Sequence, residues 1–189
     1  MMKTKMILLL SCLSLISATN TQAEQIYVES DFIIPIVAKG AHLHLKKSNM
    51  FNKRVTLGIS LLGLRLRDWM VDEVTNSKNK DWQVEAMGSE FTADYFLKDS
   101  DNGFFIGGVL AIARYKLARL GATATAHEMQ TGIRGGYLWR PFDGQFYIMP
   151  WLAAGYRSLN GDNLTLKGET FPSHSGFGLA GSLNFGWSF

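Results

Sequence analysis

From Phe177 to Phe189 the chain alternates without a break. Phe177, Leu179, Gly181, Leu183, Phe185, Trp187 and Phe189 hold the odd positions; Gly178, Ala180, Ser182, Asn184, Gly186 and Ser188 hold the even ones. Successive side chains on a strand point to opposite faces, so this segment has one aromatic, aliphatic face and one small, polar face. A soluble sandwich would turn the apolar face inward, whereas a membrane barrel would turn it to lipid. The strand runs to Phe189 with no polar tail, and that favours the barrel.

Other segments repeat the pattern. Met129, Thr131, Ile133, Tyr137 and Trp139 alternate with Gln130, Arg134 and Arg140; Phe146, Ile148, Leu152, Ala154 and Tyr156 alternate with Tyr147, Met149, Trp151 and Arg157. Asp143-Gly144 between them is a strong hairpin signal. Phe105, Val109, Ala111, Tyr115 and Leu117 lie opposite Arg114 and Lys116. Two segments shift phase, at Leu61-Leu62 and near Gly88-Ser89, where a β-bulge would re-aim everything beyond it.

Eight strands are expected, at 25–34, 38–47, 54–70, 82–96, 104–118, 129–142, 146–159 and 176–189. An even count puts both ends on the periplasmic side, with short turns there and longer loops at 71–81, 119–128 and 160–175 outside. Residues 25–37, apolar on both faces around Pro35, read either as the first strand or as a plug. The fold class is all-β, a closed antiparallel up-and-down transmembrane barrel.

Hydrocarbon offers no partner to backbone N–H and C=O groups, and closure pairs them all. Eight strands leave an interior that side chains fill. The expected interior set is Glu85, Glu90, Asp94, Arg114, Lys116, Arg134, Arg140 and Arg157, whose opposite signs can neutralise one another; unpaired, each would be costly to bury.

The chain opens with Lys3 and Lys5, an apolar run from Met6 to about Ala18, and small residues at Thr21-Gln22-Ala23. That is the pattern of a secretory signal peptide, residues 1–23, and it is too short to span a membrane. The barrel domain is then 24–189. Cys12 lies inside the leader, so the mature part holds no thiol and no disulfide. Without Lys3 and Lys5 the formal charge falls from +3 to about +1, which gives no reason to expect nucleic acid.

The terminal Leu183-Asn184-Phe185-Gly186-Trp187-Ser188-Phe189 resembles the C-terminal recognition strand of Gram-negative outer-membrane proteins. With the leader, size and strand pattern, the chain is similar to the small OmpX-, OmpA- and OmpW-type barrels. Residues 136–142 and 147–156 also resemble hairpins of uncharacterised small barrels. The resemblance implies residence in the outer membrane of a Gram-negative bacterium. It implies lipopolysaccharide and other outer-membrane lipid as surroundings, and the barrel assembly machinery as the reader of Phe185, Trp187 and Phe189. It supplies no catalytic residues.

Some such barrels modify lipid A, so a nucleophile and base are worth seeking. Ser173-His174-Ser175 and His127-Glu128 are the nearest approach, but the lipid A deacylase spacing is His-x-Ser and here His174 and Ser175 are adjacent. His42 and His44 share a strand face but lack a third metal ligand. Asp99-Ser100-Asp101-Asn102-Gly103 reads as a turn, since its glycine comes early for a calcium loop and no glutamate closes it. No cofactor or metal is expected, and the aromatics near strand ends suit an interfacial girdle.

The leading expectation is a structural or surface-interaction protein with a plugged interior and long extracellular loops open to an external ligand. A small-solute pore and a lipid A-modifying enzyme are the alternatives, and a soluble periplasmic sandwich is the rival architecture.

Overall fold

The fold is seen in a computed structural model that describes residues 24–75, 81–98, 102–142, 144–160, 165–171 and 175–189. The proposed leader, 1–23, lies outside them. Eight strands close a single antiparallel barrel: β1 (Ile26–Asp31), β2 (Ala38–Ser48), β3 (Val55–Leu66), β4 (Trp82–Phe96), β5 (Gly103–Arg119), β6 (Ala122–Leu138), β7 (Phe146–Asn160) and, after a small hairpin, β10 (Gly176–Ser188). That hairpin pairs β8 (Thr165–Leu166) with β9 (Glu169–Thr170). β1 closes the ring between β10 and β2. Among the described residues no helix is long and apolar enough to cross a membrane.

Register fixes the geometry. Paired residues lead from Leu45 through Ile59, Phe91, Leu110, Thr131 and Tyr156 to Phe177, while the direct route through Val28 meets β10 at Trp187, ten residues on. That shear tilts the strands by roughly 40°.

Facing then follows from burial. On β7 and β10 the residues outside are Phe146, Ile148, Leu152, Ala154, Tyr156, Phe177, Leu179 and Trp187. Phe177 and Leu179 are each 88% exposed, Leu152 74% and Ile133 64%, so the apolar sets do not gather in a core. The greasy side points out.

The strands outrun this band. Outside β5 the order is Phe104, Ile106, Gly108, Leu110 and Ile112, then Arg114 and Lys116. Residues 104–112 match the 9–11 residues a tilted strand needs to cross a bilayer. On β3 the outer face passes from Leu57, Ile59 and Leu61 to Arg65, and the inner face from Thr56 and Ser60 to Leu62, Leu64 and Leu66. Both faces change chemistry at one level.

That change corrects the expected bulges. Pairing of β3 with β4 and of β4 with β5 runs without interruption through Leu61, Leu62, Gly88 and Ser89. No residue is inserted; the phase shift records where the wall leaves the apolar band. Further corrections concern the ends. In 25–37, β1 is a true barrel strand, followed by one helical turn, α1 (Ile34–Val37). β3 stops at Leu66, and a helix, α2 (Asp68–Thr75), occupies the end of the expected strand. The expected loop at 119–128 is instead a two-residue turn, Leu120-Gly121, with φ of 46° and 78° and Arg119 paired to Ala122. Two positive φ values suit the right-handed strand twist, and the hairpin continues outward as a ribbon. The described chain thus has two long connections at this end rather than three.

Apolar clusters lie toward both ends of the lumen. Tyr27, Phe96, Phe105, Leu138, Tyr147 and Met149 pack together near the termini. At the loop end Val71 of α2, Trp82, Val84, Leu117, Leu166 and Phe171 form the second cluster.

Candidate functional site

Between those clusters lies a buried ionic network built by alternation. Each inward position on β1, β2, β4 and β6 falls on one face, so Glu29, Asp31, His42, His44, Lys46, Glu90, Asp94 and Arg134 converge. Arg134 Nε donates to Asp94 Oδ1 at 2.7 Å, and its Nη2 donates to Asp94 Oδ2. Its guanidinium also lies 3.7 Å from Glu90 Oε1 and over the rings of Phe105 and Trp151. Planar, bidentate pairing suits arginine rather than lysine.

Lys46 bridges the rest. Its Nζ lies 2.9 Å from Glu29 Oε1 and 3.8 Å from Asp94 Oδ2. Glu29 accepts further bonds from Tyr147 Oη at 2.9 Å and Asn184 Nδ2 at 2.8 Å. One carboxylate therefore ties β1 to β2, β7 and β10. Asp31 Oδ1 accepts from the backbone N–H of Ile33 and Ile34, anchoring the start of α1. Nε2 of His42 shares a 2.8 Å hydrogen bond with Ser60 Oγ, and the His42 and His44 rings stand 3.9 Å apart.

Packing around these groups is dry. The space enclosed by Tyr27, Glu29, Lys46, Thr56, Asp94 and Met149 leaves about 0 Å³ for a water molecule. Paired charges and hydrogen bonds of this kind tie the strands of the wall to one another across the lumen.

Not every expected member joins. Glu90, Asp94 and Arg134 are in the network. Arg157 faces inward higher up, 3.8 Å from Glu128 Oε2, and Glu128 also accepts a bond from Tyr115 Oη. Arg140 sits at the rim near the termini, bonded to Ser188 Oγ and to the Gly144 carbonyl, with its guanidinium over Tyr147. Glu85, Arg114 and Lys116 are corrections, because all three point out of the barrel. Glu85 meets Lys116 there at 4.0 Å. They lie beyond the apolar band, where water rather than the lumen takes charge.

Glu29, Asp31, Lys46 and Arg119 escaped the sequence pattern. The signal for Glu29 and Asp31 is their alternation with Val28 and Ser30, and Lys46 is in phase with His42 and His44. Arg119 has no such signal. From the loop end it donates to the carbonyls of Leu166 and Lys167 at 3.0 and 2.9 Å and pairs with Glu169 at 2.7 Å. It straps the β8–β9 hairpin over the mouth.

Of the catalytic candidates, His127, Glu128 and Ser175 border one groove. His127 is exposed on the outer face and Glu128 is turned inward. Ser173 and His174 lie outside the described residues, as do Asp99, Ser100 and Asp101. Among the described residues no three His, Cys, Asp or Glu side chains form a metal-sized group.

The closed ring, its shear and its outward apolar belt leave one architecture. It is a closed eight-stranded antiparallel β-barrel with its apolar side chains turned outward. Two solved structures are similar in shape. One is Ail, the attachment invasion locus protein of Yersinia pestis, at 14% identity over 88% of this chain and 96% of that one, with a TM-score of 0.42. The other is a major outer membrane protein from Thermus thermophilus, at 14% identity over 89% of this chain and 100% of that one, with a TM-score of 0.45. No family model and no curated protein matches the sequence.

Proposed function

We propose that this barrel sits in the outer membrane of a Gram-negative bacterium, exported with loss of residues 1–23, and works as a structural or surface-interaction protein. One observation carries the reading: the outer face is apolar over a bilayer's depth while the interior is filled by the paired charges around Glu29, Lys46, Asp94 and Arg134. A lipid-embedded wall with a blocked lumen acts through what it displays. The display here is α2, the β8–β9 hairpin and the β5–β6 ribbon. Among the described residues, 122–126 of the ribbon have no strand paired on the side of β7, whose pairing begins at His127. An unpaired strand edge of this kind is a template for a partner strand. Outer-membrane lipid, lipopolysaccharide and the assembly machinery are its expected partners.

Planar-bilayer recording of the refolded barrel tests the role. The expected trace is free of steady open steps; reproducible single-channel steps would favour the pore instead. Membrane fractionation and heat-modifiable gel migration test the address.

A further inference from the structure

Against β3–β7, at the upper limit of the apolar band, runs a groove of about 890 Å³ lined mainly by outward residues, with the inward-facing Glu128 and Leu159 at one end. Directly paired residues share a face, so its lining can be read as rows. Leu61, Ser89, Ile112 and Met129 form the lower row, and Met87, Arg114 and His127 the next. Beyond the lining, on the next outward positions, Lys39, Arg65, Glu85 and Lys116 form a row along its upper rim.

The tilt brings the cations level. At this shear each step from strand to strand climbs roughly 3 Å, and each outward position along a strand roughly 5 Å. Arg65 and Arg114 are two strands and one outward position apart, so they stand within a few ångström of one height. On the outer face Lys39, Arg65, Arg114 and Lys116 meet one carboxylate, Glu85, which lies 4.0 Å from Lys116, while Glu128, also on the groove's lining, is turned inward to Arg157. Among the described residues Arg65 and Arg114 have no ion-pair partner. Beneath them Met87 is 71% exposed and Leu61 61%. Guanidinium groups directly above an apolar trough fit a phosphate on an acylated anchor.

We propose that this groove binds a phosphorylated, multiply acylated glycolipid of the surrounding leaflet. Its phosphate lies on Arg65, Arg114 and Lys116, and an acyl chain lies along Leu61, Met87, Ile112 and Met129. The site rests on the reading of the chain as a lipid-embedded barrel and gives that reading a defined ligand position.

The test titrates the folded barrel in detergent micelles with bisphosphorylated, hexa-acylated lipid A, and native mass spectrometry reads the bound lipid. Parallel arms use the same lipid stripped of phosphate, and inorganic phosphate as competitor. Binding of the phosphorylated lipid is expected to exceed that of the stripped lipid by about tenfold or more. The preference disappears in the Arg65→Ala/Arg114→Ala/Lys116→Ala variant and survives in Lys53→Ala/Lys98→Ala, which changes charges at the opposite end. Equal binding by wild type and the triple variant, or no preference for the phosphorylated lipid, would overturn the site. Displacement by millimolar inorganic phosphate would reduce it to a free-anion site. Insertion into vesicles, read by protease protection, is scored separately, and its failure would sink the embedded reading itself.

Discussion

Arg134 on β6 grips both carboxylate oxygens of Asp94 on β4, across the intervening β5, with both side chains almost wholly removed from solvent. Their strands are not neighbours, so the pair is a strut through the lumen rather than a stitch within the sheet. Removing one partner strands the other charge. Asp94→Asn or Arg134→Ala should lower unfolding stability by about 3–5 kcal/mol, whereas a matched apolar double replacement should cost much less. Urea titration of the refolded barrel in vesicles measures both.

Lipid contact predicts a depth profile. Arginine in place of Leu152, in the middle of the outer band, should cost about 2–4 kcal/mol. At Thr125, on the ribbon beyond the band, the same residue should be nearly neutral. Equal penalties at the two positions would contradict the assigned band, and the same titration reads them.

The ribbon turn gives a local test. Leu120 and Gly121 both have positive φ, at 46° and 78°. A β-branched residue fits that region poorly, so Gly121→Val should destabilise by about 1–2 kcal/mol. Leu120→Asn should be neutral or stabilising, since Asn-Gly is favoured in such turns. Thermal melts should show a lowered midpoint for Gly121→Val and an unchanged or raised one for Leu120→Asn.

Arg119 makes the cap testable by exchange. Replacing it with Met removes two carbonyl contacts and the Glu169 pair. Amide protection at Thr165 and Thr170 should fall by about 2 kcal/mol while protection in β4 and β5 is retained.

Phe185 and Trp187 project outward and Phe189 is exposed beside them; Phe146 stacks on Phe185 at 6.2 Å and meets Trp187 at a tilt at 4.8 Å. If they form the assembly signal, Phe189→Ser should reduce outer-membrane yield in cells several-fold yet leave refolding of the purified chain intact. Parallel losses in both assays would assign Phe189 to packing alone.

Legibility tracks chemical contrast between the two faces. β7 and β10 are readable because lipid and lumen demand opposite residues along most of their lengths. β3, β4 and β5 mislead beyond Leu61, Gly88 and Ile112, where the outer face meets water and the inner face becomes a small apolar core. Alternation continues there with its polarity reversed. A reversal and a bulge look alike in one dimension, and only the uninterrupted pairing separates them. Glu85, Arg114 and Lys116 are misplaced by the pattern for that reason. Residues 122–128 look like a loop because alanine and threonine alternate there with little difference in hydropathy. The contacts of Arg119 with β8 and β9 depend on how a distant connection folds back, which no local pattern encodes.

The dry packing around Lys46 and Asp94 bears on how much of this protein an envelope can hold. In the proposed role of an embedded, plugged barrel, such a wall dissipates no gradient, however densely it is inserted. Copy number is then limited by space in the bilayer and by export capacity, and a cell can coat itself with such barrels while its permeability barrier stays intact.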